Sequence, residues 1–268
     1  MAAPARWAAA LLAAVLLGGA ATGCTGSAPA PDPAATATAG VAPSSPQPSP
    51  TDRSPHGVLL SAQLALHDAR RAEFRAVLGE DRARGALFWA PKTVLKYQSD
   101  LDARLLMVLD TSAYLGGDQA SALRLGGPHW QKFAGGRTPY AALIDRLSPV
   151  VAVTAAVAAS DPVPLGEEKL LDGTAAHYRV TLTAARYAAA QTQLDPARRQ
   201  ALESALGPGE VVLDLWLNDR DQLVQLRRAA AEVDTVSYAE YGSSALSVQA
   251  PAEADTADAG SASPPAFP

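Results

Sequence analysis

The stretch Val211-Val212-Leu213-Asp214-Leu215-Trp216-Leu217-Asn218 decides the fold class of this chain. Its odd-numbered positions are all aliphatic, whereas its even-numbered positions are mixed, and this period of two is typical of a β-strand with two different faces. Turn-forming residues occupy 218–221, and 223–231 and 232–238 then read as returning strands. The pattern predicts consecutive antiparallel strands at the end of the domain, with a fourth at 245–248.

A second hairpin signal precedes this stretch. Asp172-Gly173 separates the apolar runs 163–171 and 177–182, and Asp-Gly between such runs predicts a tight β-turn. Two helices are expected before 211, at 184–194 and 196–206, with Asp195 as the N-cap of the second helix and Pro196 at its first position.

The rest of the domain mixes helical and alternating patterns. Helical spacing predicts helices at 58–69, 140–147 and 150–159, and short alternating runs between 73 and 134 predict further strands. Antiparallel strands with helices inserted between them predict an α+β fold, in which a curved antiparallel sheet is covered on one face by short helices.

The N-terminus carries an export signal. Arg6, an apolar run at 8–17 and small residues at 18–23 predict a secretory signal peptide over 1–23. The apolar run is shorter than the about 20 residues that span a bilayer. Ala21-Thr22-Gly23-Cys24 resembles a bacterial lipoprotein box, in which the peptide is cut before the cysteine and the thiol is acylated.

Cys24 is the only cysteine of the chain. An incidental cysteine after an ordinary signal peptide is the alternative, but it would leave a free, reactive thiol in an exported protein. More than one acyl chain gives stable anchoring. We therefore expect a palmitate-type modification of Cys24 and a lipid-anchored protein on the extracytoplasmic face of the cell membrane.

Composition divides the mature chain into three parts. Residues 24–55 are rich in Pro, Ala, Ser and Thr and predict a disordered tether. Residues 56–252 suffice for one domain with a core, which we expect to be monomeric. Residues 253–268 read as a second disordered tail. The excess of Ala, Arg and Pro over Lys and Ile indicates a GC-rich genome such as that of an actinobacterium.

Several functions are excluded by composition and motifs. The net charge of −5 argues against nucleic acid as a partner. Metalloprotease, serine-hydrolase, P-loop and β-lactamase motifs are missing from the sequence, which predicts no catalytic residues, no cofactor and therefore no enzyme.

The histidines are not at metal-ligand spacing, so no metal site is expected. His177 is predicted to face solvent and His129 to lie in a loop, and Asp219 and Asp221 are predicted to serve a turn rather than to form a calcium or acid–base set with Asp214.

Four strings carry a resemblance to a known family: Leu171-Asp172-Gly173, Tyr178-Arg179-Val180-Thr181-Leu182, Leu215-Trp216-Leu217-Asn218-Asp219 and Tyr238-Ala239-Glu240-Tyr241-Gly242. Together with the lipoprotein box and the tether, they resemble actinobacterial LolA-like lipoproteins, which include the mycobacterial lipoglycan and phthiocerol-lipid carriers. The resemblance covers about 60–250. It implies a curved half-barrel sheet around an apolar cavity, and the binding or transfer of an acylated lipid or lipoglycan in the cell envelope.

If such a cavity exists, apolar residues of both layers should line it. We expect this lining to comprise Met107, Leu109, Leu143, Ile144, Leu147, Val180, Leu182, Tyr187, Leu213, Leu215, Val224 and Leu226. From the residues alone, the stripe 211–217 favours an ordinary filled core over a cavity lining, and Arg198-Arg199 fits an exposed helix face or a contact to an anionic head group. The alternative function is therefore an envelope protein-interaction or sensing lipoprotein whose core is filled.

Overall fold

The computed structural model describes residues 52–171 and 173–267, and within them the chain forms one large β-sheet with short helices. The α-helices in the described part are α1 (Pro55–Ala69), α2 (Gln119–Leu125), α3 (Ala141–Leu147), α4 (Pro149–Val157), α5 (Ala184–Ala189) and α6 (Pro196–Leu206). The strands are β1 (Arg71–Leu78), β2 (Asp81–Phe88), β3 (Val94–Ser99), β4 (Leu105–Leu109), β5 (Ser112–Gly116), β6 (Trp130–Ala134), β7 (Val163–Leu170), β8 (Gly173–Thr183), β9 (Glu210–Leu217), β10 (Leu223–Ala229), β11 (Val233–Ala239) and β12 (Thr256–Asp258). The signal peptide, Cys24 and nearly all of the predicted tether lie outside the described residues.

The sheet is open and almost entirely antiparallel. Its strand order is β12-β6-β5-β4-β3-β2-β1-β11-β10-β9-β8-β7. Only the β12–β6 pair is parallel, while every other pair is antiparallel. β7 and β12 form the two edges, so the sheet does not close on itself. The predicted α+β fold, an antiparallel half-barrel sheet covered by short helices, is confirmed.

The core lies on the sheet face that the helices cover. The aliphatic stripe of β9 is at most 1% exposed and belongs to one buried cluster with residues of α1, α3 and α4. α1 packs against α4, and α5 against α6. The Tyr238 hydroxyl of β11 donates to the Leu147 carbonyl oxygen at 2.9 Å and so fixes the end of α3 over the sheet. Each fully buried Leu or Val stabilises the fold by about 1.5–3 kcal/mol.

Local sequence signals correctly predicted where several helices and strands begin or end. β7 and β8 form the predicted hairpin, in which Leu170 pairs with Gly173. Asp195 caps α6 by accepting a hydrogen bond from the Arg198 backbone N–H at 2.8 Å, and Pro196 opens the helix. The sequence patterns did not lead us to predict α2, although Asp118 caps its start and Gly126, with φ of 73°, ends it.

One expectation at the C-terminal end was wrong. Residues 245–248 form no strand, because β11 is already paired on one side with β1 and on the other with β10. The segment 253–267, which we expected to be a disordered tail, contains regular structure: a 3₁₀ turn at Glu253–Asp255 leads into β12, which pairs with β6. Without β12, β6 would be an edge strand with unpaired backbone groups. A low-complexity segment can satisfy them because a ladder requires only its backbone.

Candidate functional site

Most of the residues that we expected to line a central cavity lie together in the buried core. Nine of the twelve belong to the buried cluster between sheet and helices. Leu147, Tyr187, Leu213 and Leu215 are each 0% exposed. Of the twelve, Ile144 also borders a cleft described below. The structure therefore brings these nine residues together between the sheet and the helix layer.

Three of the predicted residues are not brought together with the other nine. Met107 and Leu109 lie on the face of β4 opposite to Leu106 and Val108, which are the residues of β4 in the core cluster. Val224 lies at an irregularity in the β9–β10 pairing and is half-buried. The sequence could not separate the two faces of β4 because both are apolar.

One cleft lies at the side of the helix layer, between α3, α6 and the β10–β11 turn, and we call it the side cleft. Its volume is about 510 Å³. Small and aliphatic side chains form most of its walls, namely Pro139, Ala141, Ala142, Ala201, Leu202, Ala205, Leu206, Ala230 and Ala231. Leu202 and Leu206 turn one side of α6 into the core, while Ala201 and Ala205 are exposed in the cleft. The alanines leave room that longer side chains would occupy.

Ion pairs surround the apolar walls of the side cleft. Arg198 of α6 reaches Asp145 of α3 at 2.6 Å, and Arg146 of α3 reaches Asp234 of β11 at 2.6 Å and Glu232 at 2.9 Å. Burial raises the pKa of Asp145, while the hydrogen bond from Arg198 acts in the opposite direction.

Arg228 of β10 completes this set by pairing with Asp234. The three arginines thus face three carboxylates, and the charges of the side cleft balance. From the sequence, Arg198 was expected either on an exposed helix face or in contact with an anionic head group. In the structure, its guanidinium already has a carboxylate partner.

Two further clefts follow one after the other from the side cleft along the helix layer. A cleft of about 180 Å³ shares Ala141, Asp145 and Arg198 with it. A cleft of about 650 Å³ between α1, α4 and the end of β2 shares Trp89 and Val150 with the 180 Å³ cleft. Together they form a succession of apolar openings that runs beside the filled core.

The polar residues on the opposite face of the sheet are structural. His177 stacks on Trp216 with ring centroids 4.2 Å apart, and it lies between Glu168 at 3.2 Å and Asp214 at 3.1 Å. It lies on the face of the sheet away from the helices, as predicted, although its side chain is only 13% exposed. The stacking and the pairing with carboxylates cover the ring although helices do not.

The remaining polar candidates are dispersed. Asp221 accepts a hydrogen bond from Arg53 at 2.7 Å at the β9–β10 turn, whereas Asp214 binds Arg179 on the outer face of the sheet. His129 contacts Asp255 at 2.7 Å through Nδ1. Within residues 52–171 and 173–267, no group of three or more His, Cys, Asp or Glu residues could hold a metal ion.

The architecture defines the fold class of this protein. It is a LolA-like fold, with an open, mostly antiparallel sheet and a few covering helices. No protein-family model matches the sequence, and no curated protein matches it either. No single helix among the described residues is long and apolar enough to cross a membrane. Thr138–Leu147 and Pro149–Val157 meet that test only as a pair, with a 61° bend between them.

Solved structures of two mycobacterial proteins are similar to this chain. LprF from Mycobacterium bovis is similar over 74% of this chain and 97% of its own, with a TM-score of 0.50 and 11% identity. The Mycobacterium tuberculosis lipoprotein LppX is similar over 72% of this chain and 97% of its own, with a TM-score of 0.48 and 9% identity. At these identities the likeness is one of fold.

Proposed function

We propose that this chain is an envelope lipoprotein, exported and anchored through Cys24, whose domain binds an acylated lipid or a related amphiphile in the side cleft. The lipoprotein box and the LolA-like fold support the anchored, extracytoplasmic setting. The observation that carries the binding proposal is the side cleft itself. Its volume of about 510 Å³ lies within the range of about 300–1,000 Å³ that is typical of ligand sites.

The chemistry of the side cleft defines the kind of ligand. Alanine and leucine walls favour an apolar chain, which gains free energy when it leaves water. Arg146, Arg198 and Arg228 are all engaged with carboxylates, so an anionic group would have to displace an existing partner. An uncharged hydroxyl-rich head group or a zwitterionic head group instead finds both donors and acceptors at the rim.

A substitution within the side cleft tests the proposal. Ala205→Trp would fill the space between α6 and α3. Ser204→Trp is the matched control, because Ser204 is an exposed neighbour on α6 that does not line the cleft. We would purify the full chain, extract bound lipids and quantify them by mass spectrometry. A fluorescent long-chain fatty acid, in the form of its uncharged methyl ester, would then be titrated into each variant.

We expect Ala205→Trp to lower both co-purified lipid and affinity for the methyl ester by about tenfold or more, which corresponds to at least about 1.4 kcal/mol. Ser204→Trp should bind as the unmodified protein does. Equal binding by the two variants would refute the side cleft as the site.

One observation favours a second function. Because the interior is filled, the fold could serve an envelope protein-interaction or sensing role without any lipid ligand. In that case, cross-linking in cells would recover one dominant protein partner. The extracts would contain no lipid in stoichiometric amount, and Ala205→Trp would leave the cross-linking pattern unchanged.

A further inference from the structure

The penultimate residue of the chain inserts an aromatic ring into the domain. Phe267 packs edge-on against Tyr97 of β3, with ring centroids 5.8 Å apart, and against Tyr140, with centroids 6.0 Å apart. Both tyrosines are at most 2% exposed, and Phe267 is packed against the core cluster. We call the surface formed by Tyr97 and Tyr140 the aromatic seat.

The segment that brings Phe267 to the aromatic seat is weakly attached. β12 pairs with β6, and the Ala259 backbone N–H donates to the Lys132 carbonyl oxygen at 2.9 Å. From Ser263 to Phe267 the structure shows no hydrogen bond to another described residue. Pro264 and Pro265 have no backbone N–H to offer. Within this segment, Phe267 is the residue that packs against the core cluster.

A cleft lies beside the residue that covers the aromatic seat. Ala266 and Phe267 line this cleft of about 520 Å³, together with polar residues that include Asp81 and Ser99. It shares Arg146 and Glu232 with the side cleft. A ligand bound in the side cleft therefore lies next to the cleft that Phe267 borders.

The aromatic seat also holds a polar group without a partner. The Tyr97 hydroxyl donates to Asp81 at 2.6 Å, whereas the Tyr140 hydroxyl is buried and has no hydrogen-bond partner among the described residues. Burial raises the pKa of Tyr140 to about 12, so the phenol stays protonated at neutral pH and remains able to donate. Buried polar groups are normally satisfied, and those that are not require an explanation such as a ligand or a bound water.

We propose that the aromatic seat is a binding site for the apolar chain of an amphiphile, and that Phe267 occupies this site until the ligand displaces it. The C-terminal segment then acts as an internal competitor. An ester or hydroxyl group near the head of the ligand would accept the hydrogen bond that Tyr140 cannot make in the present state. This inference rests on the proposed function, because it assigns a second apolar subsite to the same amphiphile.

Fluorine NMR on the full chain would observe the displacement directly. The sequence contains four phenylalanines, Phe74, Phe88, Phe133 and Phe267, and 4-fluorophenylalanine can replace all of them. Phe267→Leu identifies the resonance of Phe267 by its loss. On addition of the methyl ester of cis-parinaric acid, an uncharged fluorescent amphiphile, we expect this resonance to move to the position of a solvent-exposed ring. The resonance of the buried Phe133 should stay in place. A bound probe with an unmoved Phe267 resonance would overturn the inference.

Affinity provides the second measurement. If Phe267 must leave before the chain enters, the apparent affinity is reduced by the fraction of molecules whose seat is open. We expect Phe267→Ala to bind the methyl ester of cis-parinaric acid about tenfold more tightly. Ser263→Ala, which alters the same segment but keeps the ring, should bind as the unmodified protein does. Equal or weaker binding by Phe267→Ala would contradict the inference.

The two proposals fail in different ways. If Ala205→Trp abolishes binding while Phe267→Ala and the fluorine spectrum show no response, the side cleft is the site and the aromatic seat is not. If Ala205→Trp binds normally but Phe267→Ala binds more tightly, the seat is a site and the side cleft is not. If neither the unmodified protein nor Phe267→Ala binds the probe, both proposals fail.

Discussion

Arg228 of β10 lies directly opposite Asp234 of β11 on the helix-covered face of the sheet, and its guanidinium donates to that carboxylate. The two residues are only 4% and 3% exposed. Asp234 also accepts a hydrogen bond from Arg146 of α3 at 2.6 Å. One carboxylate thus neutralises a buried guanidinium and fastens α3 to the sheet beside the side cleft.

The first prediction removes that carboxylate. Asp234→Ala leaves Arg228 buried without its counter-charge, and breaking a buried pair in this way costs about 3–5 kcal/mol. Glu232→Ala removes the exposed partner of the same Arg146 and should cost less than about 1 kcal/mol. Urea unfolding of both variants measures the difference in free energy of unfolding. Similar losses would show that burial of Arg228 does not determine the cost.

A glycine in β2 gives the second prediction. A Cβ at Gly85 would collide with the backbone carbonyl oxygen of Lys96 on β3. Gly85→Ala must therefore push the two strands apart, at a cost of about 1–3 kcal/mol. Gly209→Ala is the matched control, because its Cβ would meet no atom within 4 Å, and it should stay within about 0.5 kcal/mol of the parent. Thermal unfolding followed by circular dichroism should show a lower Tm for Gly85→Ala alone.

The parts of the fold that could be predicted from the sequence are those with local signals. The β7–β8 hairpin follows from Asp172-Gly173, and the start of α6 follows from Asp195 and Pro196. The strand β9 follows from strict alternation. Each signal lies within a few residues of the feature that it determines, so no knowledge of the rest of the chain is needed.

The candidate site could not be predicted because its residues are far apart in the sequence and come into contact only in the folded chain. Arg198 and Asp145 are 53 positions apart, and Arg146 and Asp234 are 88 apart. The aliphatic stripe of β9 reads the same whether it fills a core or lines a cavity. Phe267 ends a low-complexity segment whose composition predicts disorder, and its packing depends on two tyrosines far away in the sequence.

The outer face of the sheet gives a pH-dependent prediction. Burial alone raises the pKa of Asp214, but hydrogen bonds from Arg179 and His177 outweigh it and hold the pKa below its ordinary value of 3.8. A carboxyl with a lowered folded-state pKa contributes stability above its unfolded pKa, and this contribution is lost as the pH falls through the folded value. Asp214→Asn should therefore be less stable than the parent at pH 6, and the gap should narrow below about pH 4.

Urea unfolding at pH 6 and at pH 3 measures this gap. Asp219→Asn, in the exposed β9–β10 turn, controls for the loss of a carboxylate as such. A gap for Asp214→Asn that stays constant or widens on acidification would show that the pairing of Asp214 with Arg179 and His177 does not stabilise the fold through its charge.

The last prediction concerns the anchor. Cys24 should incorporate a labelled palmitate analogue, and Cys24→Ala should abolish the label and release the protein from the membrane fraction. The physical reason is that stable attachment requires more than one acyl chain or an additional membrane-binding signal, and a chain with a net charge of −5 gains little from an anionic bilayer surface. Ala21→Leu, which restores the commonest first residue of a lipoprotein box, should leave both label and location unchanged. A Cys24→Ala protein that still sediments with membranes after a high-salt wash would mean that another part of the chain makes the attachment, and the proposed role of Cys24 in holding the side cleft near its lipid would then be wrong.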